Sequence, residues 1–98
     1  MKAVMIFHNA AMDGRINEAM TDAGIEHYSR FVDTLGKGQQ SEPHLNTEVW
    51  PEVNNTTMVI ADDDRAKALM DVIRQLRSGP LGKGGVKAFM WHIEDVTE

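Results

Sequence analysis

The sequence contains no cysteine, which excludes disulfide scaffolds, zinc ribbons, thioredoxin-type redox sites and thiolate copper chaperones. No apolar run approaches the ~20 residues that a membrane span needs, and no signal-peptide pattern opens the chain. Positive charge is scarce. Ten lysines and arginines face 15 acids, and the net charge of −5 argues against non-specific nucleic-acid binding. Signatures of catalysis are missing too: there is no cysteine nucleophile, no G-x-S-x-G elbow and no acid–base pair apart from aspartates placed to cap helices. The chain is therefore not expected to be an enzyme. Length is the last shortage. Ninety-eight residues make one domain, 1–98. Surface scaling gives about 5,600 Å² folded against about 16,000 Å² extended, enough for one modest core and little private pocket. The hydrophobic fraction of 42% and charged fraction of 26% are those of an ordinary globule, and a cytoplasmic location is expected.

What is present falls into two similar halves. The run KAVMIFHN, from Lys2 to Asn9, is continuously apolar with a polar end and predicts a strand buried on both faces. Asp13 is placed to cap a helix whose stripe is Ile16, Ala19, Met20 and Ala23, and Gly24 is placed to end it. The segment from Glu26 to Leu35 predicts a second strand, with Tyr28 and Val32 on one face and Phe31 and Leu35 on the other. Residues Gly36 to Asn55 lose all periodicity, which in so small a domain points to a functional or disordered loop. Thr56 to Asp62 then reads as another buried strand. Asp62, Asp63 and Asp64 open a helix with the stripe Ala66, Leu69, Met70, Ile73 and Leu76, and with Arg74 and Arg77 near its end. Ser78-Gly79-Pro80 stops it, and Val86 to Glu94 forms the last strand. The order β-α-β-loop-β-α-β predicts an α+β, ferredoxin-like sandwich: four strands with two helices on one face. Tyr28, Phe31, Phe89 and Trp91 make the other face too apolar for water, so self-association is expected.

Two turns carry candidate chemistry: LGKGQQ, Leu35 to Gln40, and SGPLGKGG, Ser78 to Gly85. Glycines let backbone amides approach an anion closely and a lysine adds a point charge, as phosphate binding requires. Neither turn is a Walker A loop, and each could equally just reverse the chain. The four histidines, His8, His27, His44 and His92, show no metal-ligand spacing. His8 and His92 could converge across a sheet, although a satisfied, partly buried imidazole is the commoner outcome. His44 could bind a metal from the long loop, although a solvated loop residue is the simpler reading. Seven methionines add a soft-metal reading, especially at Met90-Trp91-His92, although Met20, Met58 and Met70 fall on predicted core stripes. Asp62 to Asp64 read as helix caps on a solvated face rather than as a cation site.

Taken together, the opening MKAVMIF, the helix ending in DAGIE (Asp22 to Glu26), LGKGQQ and RSGPLGKGGVKAFMWHIED (Arg77 to Asp95) resemble the PII signal-transduction family. The resemblance spans nearly the whole chain. The last stretch is its most specific part and matches the family's R-T-G-x-I-G-D-G-K-I-F-V pattern with two extra residues before Lys87. The resemblance implies a homotrimer with the sheets facing its centre, an adenine nucleotide (ADP, ATP or AMP) between subunits, and a mobile T-loop that docks on a membrane transporter or regulatory protein. Here 36–55 corresponds to the T-loop and 78–87 to the B-loop. Carried over residue by residue, Gly36, Lys37, Gly38 and Gln39 from one subunit would face nucleotide. Gly79, Gly82, Lys83, Gly84 and Lys87 would come from the next. Gln40 would hold effector or metal at the base of the loop, and His44, Trp50 and Asn54 would meet the partner. No nucleic acid and no membrane insertion are implied.

The departures from the family pattern also carry expectations. The loop has no tyrosine, so control by modification of that residue is not expected. Lys83 replaces the usual acid of G-D-G, Met58 stands near the place of an acidic nucleotide-site residue, and no arginine-bearing segment follows Glu98. A weaker nucleotide such as ADP or AMP, or another anion, then fits better than tightly held ATP. The alternative reading is a trimer that binds a divalent metal through His44, His8 or His92, similar in role to CutA and linked to heavy-metal handling.

Overall fold

The computed structural model describes residues 1–34, 54–79 and 85–97, apart from the side chains of residues 33 and 34. Strand β1 (Lys2–Asn9) is followed by a single 3-10 turn and helix α1 (Asp13–Asp22). Strands β2 (Ser29–Thr34) and β3 (Asn54–Ala61), helix α2 (Asp63–Arg77) and strand β4 (Val86–His92) complete the order. The sheet runs β2-β3-β1-β4, and every neighbouring pair is antiparallel. This is the α+β, ferredoxin-like arrangement expected from the sequence.

Alternation along each strand decides which side chains meet the helices. Val4 and Ile6 of β1, Val59 of β3 and Val86 of β4 point to the helical side, where they pack with Ile16, Met20, Leu69 and Ile73 in one buried core. The predicted stripes of both helices are the ones that are buried: Ile16, Ala19, Met20 and Ala23 from the first, Ala66, Leu69 and Ile73 from the second. Met70 and Leu76 pack at its margin.

The other sheet face differs from expectation. Strands β1 and β3 are not buried on both sides. Phe7, Phe31, Ile60, Phe89 and Trp91 are between 38% and 55% exposed, because no element among the described residues covers them. Met58 belongs to this face, opposite Met5, and not to the core stripe predicted for it. The edge of Phe7 meets the ring of Phe89 with centroids 6.0 Å apart.

Helix ends follow local chemistry, with one correction. Asp13 does not cap α1. Asn9 instead accepts the Ala11 amide at 2.8 Å and sets the preceding turn, while the Asp13 carboxylate turns toward β3. Gly24 has φ +76°, the left-handed conformation expected of it, and a Cβ there would lie 3.1 Å from Arg65 Nε. Asp62 caps α2 as predicted: it accepts the Arg65 amide at 2.8 Å and pairs with that guanidinium at 2.6 Å. Asp63 pairs with the N-terminal amine at 2.9 Å. Both carboxyls are held below the usual range, Asp62 mainly by the Arg65 amide and Asp63 by the amine.

Leu69 is fully buried at the centre of the helix–sheet contact. Leu69→Ala is expected to cost about 2–5 kcal/mol, measured as a lowered urea midpoint at constant m-value.

Candidate functional site

The sheet brings the flanks of both glycine–lysine turns to one end. Thr34, the last residue of β2, stands opposite Asn54, the first of β3, and these two flank residues 35–53. Asn54 in turn faces Asn9, and His8 faces Val86 at the start of β4. The flanks of residues 80–84 reach the same end, since Arg77 Nη1 at the close of α2 donates to the Val86 carbonyl. Gly79 follows directly, its amide donating to the Leu76 carbonyl at 3.1 Å.

Of the residues predicted to bind nucleotide or effector, Lys87 and Gly79 can be placed at this end. Lys87 is exposed opposite Phe7 on the uncovered sheet face, with Nζ 5.6 Å from the centre of the Phe89 ring. A cation there is held by the aromatic quadrupole while its charge stays accessible. Asn54, predicted to meet a partner, is half-buried at the start of β3. Gly36, Lys37, Gly38, Gln39, Gln40, His44, Trp50, Gly82, Lys83 and Gly84 lie outside the described residues.

His8 and His92, which could have converged across the sheet, do not. Antiparallel pairing sets His8 against Val86 but His92 against Lys2, so the two imidazoles stand at opposite ends of the same strand pair, about 20 Å apart at the usual rise per residue. Among the described residues no three His, Asp or Glu side chains gather as a metal site.

Sequence reasoning missed a polar cluster under the same end of the sheet. His8 is 2% exposed. Its Nδ1 lies 3.2 Å from the Asn9 carbonyl and 3.5 Å from Asp13 Oδ1, and both of these atoms are acceptors. Nδ1 therefore carries the ring hydrogen, which leaves the Nε2 lone pair facing Thr57 Oγ1 at 2.8 Å. The Thr57 hydroxyl donates to that lone pair and accepts from Arg30 Nε at 2.9 Å. Arg30 also donates to Asn17 of α1 at 2.9 Å, and Asn55 donates to both Asp13 oxygens at 3.0 and 3.1 Å. Burial pushes the His8 pKa down; the Asn9 carbonyl opposes this, Arg30 lowers it further and Asp13 raises it. A histidine closing an apolar run suggested a satisfied, partly buried imidazole, as found, but named none of its partners.

The model of the nitrogen regulatory protein P-II family matches residues 1–98. No curated protein matches the chain in sequence. Among solved structures, CPII from Thiomonas intermedia K12 bound to ADP, AMP and acetate aligns with TM-score 0.69 and 12% identity, covering 91% of this chain and 81% of that one. The same protein bound to ADP and bicarbonate aligns with TM-score 0.69 and 13% identity, covering 94% and 86%. Its apo form, a nitrogen regulatory PII-like protein, gives TM-score 0.68 at 11% identity, covering 92% and 85%. At such identities the structures speak for the fold, and the family match is the stronger link.

Thr57→Val keeps the shape of the side chain but strands the Arg30 and His8 nitrogens. It is expected to cost about 1–3 kcal/mol in urea unfolding. The match along the full chain, the ferredoxin-like sheet and the convergence of both turn flanks at one end agree, and the chain belongs to the nitrogen regulatory protein P-II family.

Proposed function

We propose that this chain is a regulatory sensor, not an enzyme, that binds an adenine nucleotide or a similar anion between the subunits of a trimer. The observation that carries the reading is the convergence at one sheet end of Lys87 and the flanks of both glycine–lysine turns, next to an uncovered apolar face. Family members are regulatory and act as trimers, and the fold is shared with a protein bound to ADP, AMP and bicarbonate. In this reading the exposed face of Phe7, Phe31, Ile60, Phe89 and Trp91 packs against other copies and removes its apolar surface from water.

Lys87 then lies at the margin of a subunit boundary. Its ammonium, with Lys37 and Lys83 and the amides of Gly36, Gly38, Gly79, Gly82 and Gly84, supplies the charge and close approach that a phosphate chain requires. Gln39 and Gln40 would lie at the base of the segment that precedes β3, which in this reading reports occupancy. His44, Trp50 and Asn54 contribute to the surface offered to a cytoplasmic regulator or membrane transporter. No helix among the described residues is long and apolar enough to cross a membrane, so a transporter would be met as a separate protein.

Sedimentation is expected to show a trimer, and ADP, AMP or bicarbonate to raise the melting temperature. A monomer at micromolar concentration that no anion in this set stabilises would refute the assignment. Lys87→Ala is expected to weaken ADP binding about ten- to a hundredfold, as loss of one charge-assisted contact does, with the trimer intact. Titration calorimetry of both proteins measures the ratio.

A further inference from the structure

Strand β2 is the least regularly paired strand of the sheet. It lies at an edge, pairs only with β3, and its register shifts between Phe31 and Thr34. One of its side chains reaches inward under the helices: Arg30 binds Thr57 of β3 through Nε and Asn17 of α1 through Nη2. The Thr57 oxygen that receives Arg30 is the same atom that meets His8 Nε2. We propose that His8, Thr57 and Arg30 form an acid-sensitive latch that holds β2 onto the sheet.

The latch follows from the donor and acceptor count. With His8 neutral, every hydrogen has a place: Nδ1–H faces Asn9 and Asp13, the threonine hydroxyl donates to Nε2, and Arg30 donates to the threonine oxygen. A proton on Nε2 reverses one bond. The threonine oxygen must then accept from two cations, at 2.8 and 2.9 Å, and its own hydrogen loses the imidazole nitrogen as acceptor. Imidazolium and guanidinium are brought onto one buried atom, and the weaker tether is the edge strand.

Burial fixes the direction, since it disfavours the charged ring, and the Asn9 carbonyl opposes it in part. Arg30 from β2 opposes the proton and Asp13 from α1 favours it. The Asp13 side chain is 40% exposed, so water screens its help, whereas the His8 side chain is fully buried. Strand β3 contributes only neutral Asn55 and Thr57. Opposite His8, β4 presents Val86, whose carbonyl receives Arg77 of α2; Lys87 beside it lies on the other sheet face. The folded histidine therefore takes up its proton below the ordinary value of 6.5. Between those two values the open state binds more protons than the latched one. Stability of the latch is then complete above 6.5 and is lost as pH falls through 6.5 toward the folded value.

The test is read on the unmodified chain labelled with ¹⁵N. At pH 7.5 the His8 ring is expected to be the Nδ1–H form with an unprotonated Nε2, and to titrate with a midpoint below 6.5. Hydrogen exchange between pH 7.5 and 5 is expected to show β2 amides losing protection relative to Val4 and Val59, by up to about tenfold per pH unit below 6.5. In His8→Gln, which cannot take up the proton, the ratio should stay flat. A hydrogen on Nε2 at pH 7.5, a midpoint at or above 6.5, or a β2-to-core ratio that does not change with pH would each overturn the latch. So would the same acid step in His8→Gln. The two measurements on the unmodified chain decide the matter even if that variant fails to fold.

Discussion

Everything in this fold depends on β1 being hydrogen-bonded along both edges. Its partners β3 and β4 pair with it over almost its full length. A central strand with no free edge can be apolar throughout, because all its backbone groups are satisfied by neighbours. Val4 and Ile6 anchor the core beneath the helices, and His8 ends the same row. The strand thus carries core and polar cluster on one side, and Met5 and Phe7 on the uncovered side.

That two-sidedness separates the molecule into surfaces with different requirements. Beneath the helices, shape decides, and apolar side chains from six elements close around one another. On the uncovered face the side chains are as large and apolar as those of the core, yet they remain half exposed. Among the described residues no third layer lies over them. The proposed trimer resolves the shortage with copies of the same chain, and it places Lys87, resting on Phe89, at a boundary between copies rather than inside one subunit.

The cluster around His8 has a different logic. Six polar side chains from four elements meet here, and each is matched by named partners. Satisfied networks of this kind specify one arrangement, at the risk that a single proton upsets it. Its position below the flanks of the 35–53 segment joins the strand whose register shifts to the one paired along both edges.

The sequence by itself determined the local and the periodic features. The helical stripes of Ile16 and Leu69, the turn at Gly24 and the cap at Asp62 were legible because each depends on neighbours within a few residues. So was the strand and helix order, and the motifs around LGKGQQ and RSGPLGKGG were enough to identify the family. Tertiary structure decided what depends on pairing between distant segments. Antiparallel register, not strand-end position, separated His8 from His92. Strand alternation against the helices put Met58 on the uncovered face, although an apolar run looks the same from either side. The Asp13 carboxylate, read as a cap, was claimed instead by Asn55, 42 residues away. No periodicity encodes such a contact, because it exists only once the sheet has closed.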